Sequence, residues 1–176
     1  NDEVPEFLRT GEYQKVVPSR ECISNAMNVG HPSNLARLVD LYGGHLDETG
    51  RMRHEPDLAA LRRDVFAVSI SDDETRETIR TASHREGVLL EPHGAVGWAG
   101  LSRFRGAVAG DAAKMPAVVV GTAHPAKFPA EIRAVLGVDP PVPPSLAGLE
   151  QRSEDYERLP HDYAVFRAWL QRRLGG

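Results

Sequence analysis

Cysteine is almost absent from this chain of 176 residues. Cys22 stands alone, so no internal disulfide can form and a disulfide-stapled secreted domain is excluded. Long apolar runs are missing too. Ala117–Val120 and Val88–Leu90 are far shorter than the roughly 18 residues a membrane span needs. No N-terminal stretch runs from basic to apolar to small residues as a signal peptide does, so a cytoplasmic setting with no membrane partner is expected. An excess of positive charge is lacking. The formal charge of −4 argues against nucleic acid as a partner. Neither internal repeats nor low-complexity tracts occur. The seven histidines include no pair at i, i+4 and no Cys/His cluster forms around them, so no metal site is expected. No Gly-x-Ser-x-Gly elbow and no phosphate-binding Gly-rich loop is present.

What is present describes a globular chain, with 41% apolar and 26% charged residues. Its length suits one domain or part of a larger one. The first thirty residues are rich in Gly, Pro, Ser and Asn and read as loop. A helix opens near Pro32-Ser33-Asn34 and ends at Gly43-Gly44, and residues 45–57 read as solvated. A second helix follows Pro56, and the β-branched and aromatic run Val65–Ile70 predicts a strand. Ser71 with Glu74 three residues later marks the start of a helix that Gly87 stops. Val88–Leu90 is a short extended piece, Glu91–Gly94 a turn, and 95–104 a small-residue helix on which another backbone can pack closely. Ala117–Val120 predicts a strand buried on both faces. A short helix fits Pro129–Leu136, and the stiff connector 140–144 precedes a last helix over 161–174, with Tyr163, Phe166, Leu170 and Leu174 on one face. Helices alternating with short strands predict an α/β fold with a mostly parallel sheet flanked by helices, in one unit over 1–176. Ligands of such sheets bind beyond the carboxyl ends of the strands, which directs attention to Gly121–Lys127.

Two segments carry candidate chemistry. Ser24–Asn34 concentrates short hydrogen-bonding side chains and glycine ahead of a helix N-terminus, which suits either an anion or ordinary turn and cap chemistry. Gly121–Phe128 sets a hydroxyl, an imidazole and an ammonium group just after the best strand, and a capped turn with a surface lysine is the plainer alternative. His45, His54 and His161 read as solvated surface, as do Arg103 and Arg105.

At these residues the chain resembles a known family. Ser24-Asn25-Ala26-Met27, with Gly30 and Pro32-Ser33-Asn34, is similar to the SNAMDVGNPSN segment of threonine synthases. Ser69–Thr75 resembles their SISDEET segment, Glu91–Gly97 their (D/E)PHGAVG segment, and Gly121–Phe128 matches GTAHPAKF. Asn1–Gly11 looks like the stretch after their cofactor-phosphate loop. Four motifs in order cover essentially the whole chain.

The resemblance implies a pyridoxal 5'-phosphate (PLP) enzyme of the fold type of tryptophan synthase β, a lyase converting O-phospho-L-homoserine and water to L-threonine and phosphate. It implies the C-terminal part only, with the upstream half of the same enzyme as partner. The Schiff-base lysine and the Gly-rich phosphate loop are expected upstream, since Lys15, Lys114 and Lys127 stand outside the family's lysine motif. No catalytic residue is therefore assigned here, and the chain by itself is expected to be inactive. By resemblance Thr122 faces the cofactor's ring nitrogen. Ser24, Asn25, Asn34, His93, His124 and Lys127 bind the substrate, the last two through its phosphate. Asn28 stands where the family often has Asp, and His31 where Asn is common; both retain hydrogen-bonding capacity. A non-catalytic phosphate-ligand or partner-binding module on the same half-fold and another PLP-dependent lyase are the alternative functions. The oligomeric state, monomer or dimer, stays open.

Overall fold

The computed structural model describes residues 2–175, so Asn1 and Gly176, the ends of the expected single unit, lie outside the described residues. The chain divides into two compact units, one through Pro141 and the other from Val142, with the boundary inside the proline-rich stretch 140–144.

The first unit is built mainly of helices. α1 (Glu3–Thr10) lies where loop was expected; acidic Glu3 and Glu6 open it, and Gly11 ends it in the left-handed conformation with its N–H on the Phe7 carbonyl. α2 (Ser33–Leu41) and α3 (Leu58–Asp64) follow the expected bounds closely. Between them, a hairpin of β1 (His45–Leu46) and β2 (Met52–His54) occupies the stretch read as solvated. Asp47 builds its turn. The carboxylate accepts from Thr49 Oγ1 at 2.6 Å, Thr49 N at 3.0 Å, Arg51 N at 2.9 Å and Arg53 Nε at 2.6 Å. The Thr49 hydroxyl, with these other donors, holds the acid far below the ordinary carboxylate range. Phe7, Leu35, Val39, Leu46 and Leu61 form the core beneath this layer.

The loop from Glu12 to Pro32 is tied to that layer. His31 Nε2 lies 3.1 Å from the Asp47 carbonyl and Nδ1 2.6 Å from the Tyr13 hydroxyl. A carbonyl only accepts, so Nε2 carries the hydrogen and Nδ1 takes the Tyr13 proton. Gly30 is required by close approach: a Cβ there would sit 1.9 Å from the Val16 carbonyl oxygen. The Val16 N–H meets the Gly30 carbonyl at 2.9 Å.

The second layer of this unit packs α4 (Asp72–Thr81), α5 (Pro92–Ala107) and α6 (Pro129–Leu136) around Ile79, Ala95 and Ile132, each fully buried. The expected capping box opens α4: Ser71 Oγ accepts from Glu74 N at 3.2 Å, and Glu74 Oε2 accepts from Ser71 N at 3.0 Å. A single wide π turn, Ala82–Glu86, extends α4 before Gly87 stops it at φ 66°. Arg76 reaches Glu131 at 3.4 Å and ties α4 to α6.

The parallel sheet is the main departure from expectation. Among the described residues, 65–70, 88–90 and 117–120 are extended but join no ladder, and the sole sheet is the β1–β2 antiparallel hairpin. A strand segment can satisfy its backbone only against a neighbouring strand, and these three do not pair with one another. They pack instead on helix α5. A Cβ at Gly97 would stand 3.0 Å from Val119, and one at Gly100 would stand 3.9 Å from Val68; Phe66 meets Phe104 edge-on at 5.5 Å. Their outer faces stay open, with Val118 90% exposed although the sequence reads as a doubly buried strand.

In the second unit, short turns at Pro144–Leu146 and Leu149–Gln151 precede α7 (Tyr163–Leu174), which Asp162 caps by accepting from Val165 N at 3.0 Å. Glu157 accepts from Trp169 Nε1 at 2.8 Å and pairs with Arg173 at 3.5 Å. Tyr163, Phe166 and Leu174 of the expected apolar face are exposed.

Ile79 is enclosed by helices on every side, so Ile79→Ala should cost about 2–5 kcal/mol through lost burial and a residual cavity. Urea unfolding followed by circular dichroism measures this, and a loss below about 1 kcal/mol would show that the α4–α5–α6 cluster is not tightly packed.

Candidate functional site

A cleft of the first unit, about 650 Å³, opens between the loop at residues 20–29, the segment 69–74 and the start of α5. Ser24, Asn28, Ser69, Ser71, Asp72 and His93 are among its polar lining. The loop is positioned by Ile23, which is buried and whose N–H donates to Asp72 Oδ1 at 3.2 Å. That bond anchors the Ser24 segment to the N-terminus of α4. Cys22 Sγ lies 3.3 Å from Ser24 Oγ and orients the hydroxyl side chain. At the rim, Arg20 pairs with Asp2 at 2.6 Å. The Ser69 hydroxyl first, and Arg20 with it, hold the Asp2 carboxyl below its usual range. Glu74 is held below its usual range as well, chiefly by the Ser71 backbone N–H, then by the Ser71 hydroxyl and Arg103. Arg103, read from sequence as solvent-facing, is thus the partner of Glu74.

His93 enters the cleft from the first turn of α5. Its neighbour Glu91 is only 4% exposed and accepts three donors: His93 N at 2.8 Å, Gly94 N at 2.6 Å and His93 Nδ1 at 2.7 Å. The carboxylate therefore serves as the N-cap of α5 and as the anchor of the imidazole. Phe128 is buried against the other side of that ring, with centroids 5.3 Å apart. This contact joins the 121–128 segment to the 91–97 segment.

The candidate residues thus fall into two groups. Ser24 and His93 share the cleft. Asn25 and Asn34 are exposed and lie outside its lining. Thr122, His124 and Lys127 are exposed on the far side of Phe128 in sequence and also lie outside it. His124 Nδ1 accepts from Ala126 N at 3.1 Å and so caps the short turn Pro125–Lys127. Among the described residues, the side chains of Thr122 and Lys127 make no hydrogen bond or ion pair. Lys15, Lys114 and Lys127 all stand outside the cleft lining. No group of three or more His, Cys, Asp or Glu among the described residues is arranged to hold a metal ion, and no described helix is long and apolar enough to cross a membrane.

Sequence reasoning missed Glu91 and Asp72. Glu91 could have been found from its place directly before a proline at the first helical position, which is the cap slot. Asp72 carries no such signal, because its partner Ile23 is remote in sequence.

Comparison with known proteins gives these residues a family. Residues 94–169 match the family model described as threonine synthase, C-terminal. The chain is 30% identical over 171 residues to threonine synthase of Haemophilus influenzae, covering 97% of this chain and 35% of that relative. It is 32% identical over 185 residues to threonine synthase of Pseudomonas aeruginosa, covering 97% of this chain and 38% of that relative. Over 140 residues it is 34% identical to threonine synthase of Buchnera aphidicola subsp. Schizaphis graminum, with 77% and 27% covered. The chain is similar to the threonine synthases along nearly its whole length, and the model it matches is that of their C-terminal part. It spans little more than a third of the length of the first two relatives.

Glu74 supplies a pH-dependent contribution to this site. A depressed carboxylate stabilises the fold fully above its unfolded pKa, roughly 4.3, and loses that contribution as pH falls through the folded value. Unfolding midpoints of the parent should exceed those of Glu74→Gln at about pH 6 and converge with them near pH 2–3. Parallel curves across that range would remove Glu74 from the acid limb.

Proposed function

We infer that this chain forms the C-terminal part of a PLP-dependent threonine synthase, a carbon–oxygen lyase that converts O-phospho-L-homoserine and water to L-threonine and phosphate. The observation that carries this reading is the convergence of two family-like segments, through Ser24 and His93, on one polar cleft. Sequence similarity running along 97% of the chain supports it. The rest of the enzyme supplies the cofactor's lysine and phosphate loop, and this chain without it is inactive. The complete protein works in the cytoplasm. Both units belong to one catalytic domain, and the extended segments 65–70, 88–90 and 117–120 become strands of a parallel sheet whose other members come from the rest of the enzyme. Their absence from any ladder among the described residues and the exposed Val118 and Val120 support that assignment.

The residues present suit one side of the cofactor. Thr122 offers a hydroxyl without a side-chain partner among the described residues, directly after the extended segment 117–120. None of the lysines lines the cleft. Bound PLP supplies an electron sink. Thr122 donates to or accepts from its ring nitrogen; a neutral hydroxyl, unlike a carboxylate, does not hold that nitrogen strongly protonated. Ser24, Asn25 and Asn34 orient the amino-acid end of the substrate through short, rigid hydrogen-bonding groups. Lys127 and His124 balance the charge of the departing phosphate, Lys127 as a compact cation and His124 as a polar donor. His93 borders the same substrate from the start of α5. Asn28, in place of the family's frequent Asp, keeps an acceptor in the cleft without a charge.

The complete protein loaded with PLP should release phosphate from O-phospho-L-homoserine and form threonine. No release, with the cofactor bound, would overturn the reading. In that protein Thr122→Val should alter the absorbance spectrum of the cofactor and lower turnover. An unchanged spectrum and rate would remove Thr122 from the ring nitrogen.

A further inference from the structure

The Glu91–His93 pair holds more order than a helix cap requires. Capping needs one or two backbone N–H groups to be satisfied, and Gly94 N and His93 N do this. The third bond, to His93 Nδ1 at 2.7 Å, adds nothing to the cap and fixes the ring. An ionised carboxylate can only accept, so Nδ1 must carry the hydrogen. The neutral imidazole then has its lone pair on Nε2. Among the described residues Nε2 has no hydrogen-bond partner, while His93 lines the cleft. The ring cannot easily turn away. Phe128 covers it at 5.3 Å, and Gly94 leaves room for the carboxylate, since a Cβ there would stand 3.2 Å from Glu91 Oε1.

We propose that Glu91 is a positioning residue that locks His93 as the Nδ1–H tautomer, and that His93 Nε2 is a proton acceptor for a water molecule in the cleft. The second half rests on the function inferred above, in which water is a reactant. In the step, which follows departure of phosphate by elimination, the water O–H bond breaks and its proton bonds to Nε2. The oxygen uses the freed pair to form a C–O bond to the alkene carbon left behind, the π pair of that alkene moves to the neighbouring carbon and is protonated there, and Nε2 returns its proton to solvent. The imidazolium so formed lies 2.7 Å from the buried Glu91 carboxylate, whose charge offsets it without any rearrangement. Glu91 itself keeps its charge throughout. The charge, rather than the length of the side chain, is what the role demands. Glu91→Gln removes it, and either orientation of the amide leaves a donor facing a donor. Glu91→Asp preserves it.

The tautomer can be read directly. In the complete protein labelled with 15N-histidine, two-bond proton–nitrogen correlation spectra near pH 7.5 should show His93 as the Nδ1–H form, the resonance being assigned by its loss in His93→Gln. Glu91→Gln should weaken that preference and Glu91→Asp restore it. An Nε2–H ring in the parent protein overturns the positioning role whatever the activity. In the phosphate-release assay, His93→Gln should lower kcat about 100-fold or more, with KM within about 3-fold. Glu91→Gln should act in the same direction and Glu91→Asp should recover most of the loss. An Nδ1–H ring beside a His93→Gln variant of near-parental kcat overturns proton acceptance. If the parent itself releases no phosphate, the inferred reaction fails and proton acceptance with it, while the spectra still decide whether Glu91 fixes the ring.

Discussion

The buried carboxylate of Glu91 is the constraint on which the second layer depends. It satisfies the first free N–H groups of α5, and the chain enters that helix through Pro92, which has no N–H to satisfy. Burial of a charge is tolerable only because three donors surround it. With its start fixed, α5 sets the place of everything around it. Ala95 faces Ile79 and Ile132 in the core, Gly97 admits Val119, and Gly100 leaves Val68 in contact range. The same bonds place His93 at the cleft, so fold and site share one anchor.

Small residues along α5 explain why the helix serves as a platform. A side chain at Gly97 would meet Val119 at 3.0 Å, tighter than ordinary contact, so the segment 117–120 could not lie where it does against a larger residue. The packing of these extended segments is therefore complete on the side facing α5 and incomplete on the other. Val118 and Val120 alternate with Val119 and point away, leaving two large apolar side chains in water. Apolar side chains gain nothing by exposure to water, and segments of this kind invite pairing. The geometry fits a layer built to be covered.

The helices were legible in the sequence because their signals are local. Ser71 and Glu74 announce a capping box, Gly87 marks a stop, and both are found in place. The strands read at 65–70, 88–90 and 117–120 join no ladder among the described residues, since pairing is decided by neighbours remote in sequence. The β1–β2 hairpin escaped notice because its strands have two and three residues and its turn is stabilised by Asp47, whose four bonds no periodicity reports. α1 was hidden by the polar character of its flanks, although Phe7 is wholly buried. For the site, Ser24 and His93 came from short motifs and meet in space, whereas Glu91 and Asp72 act through contacts that motifs do not encode.

Two of the motif segments, 91–97 and 121–128, are coupled by the Phe128 ring on His93. This contact matters because Phe128 closes the turn that His124 caps and then opens α6, whose Ile132 is locked into the core. A shift of the 121–128 loop is thereby resisted at both ends, by the cap and by the core. Thr122, His124 and Lys127 hang from a short tether whose far end is fixed. Their own exposure follows from that arrangement: the tether places polar groups beyond the packed layer. The cleft side is different, because Ser24 and His93 are already set by buried partners, Ile23 and Glu91. Ser24 and His93 are therefore held by burial beneath them, whereas Thr122, His124 and Lys127 are held only through the backbone of their turn.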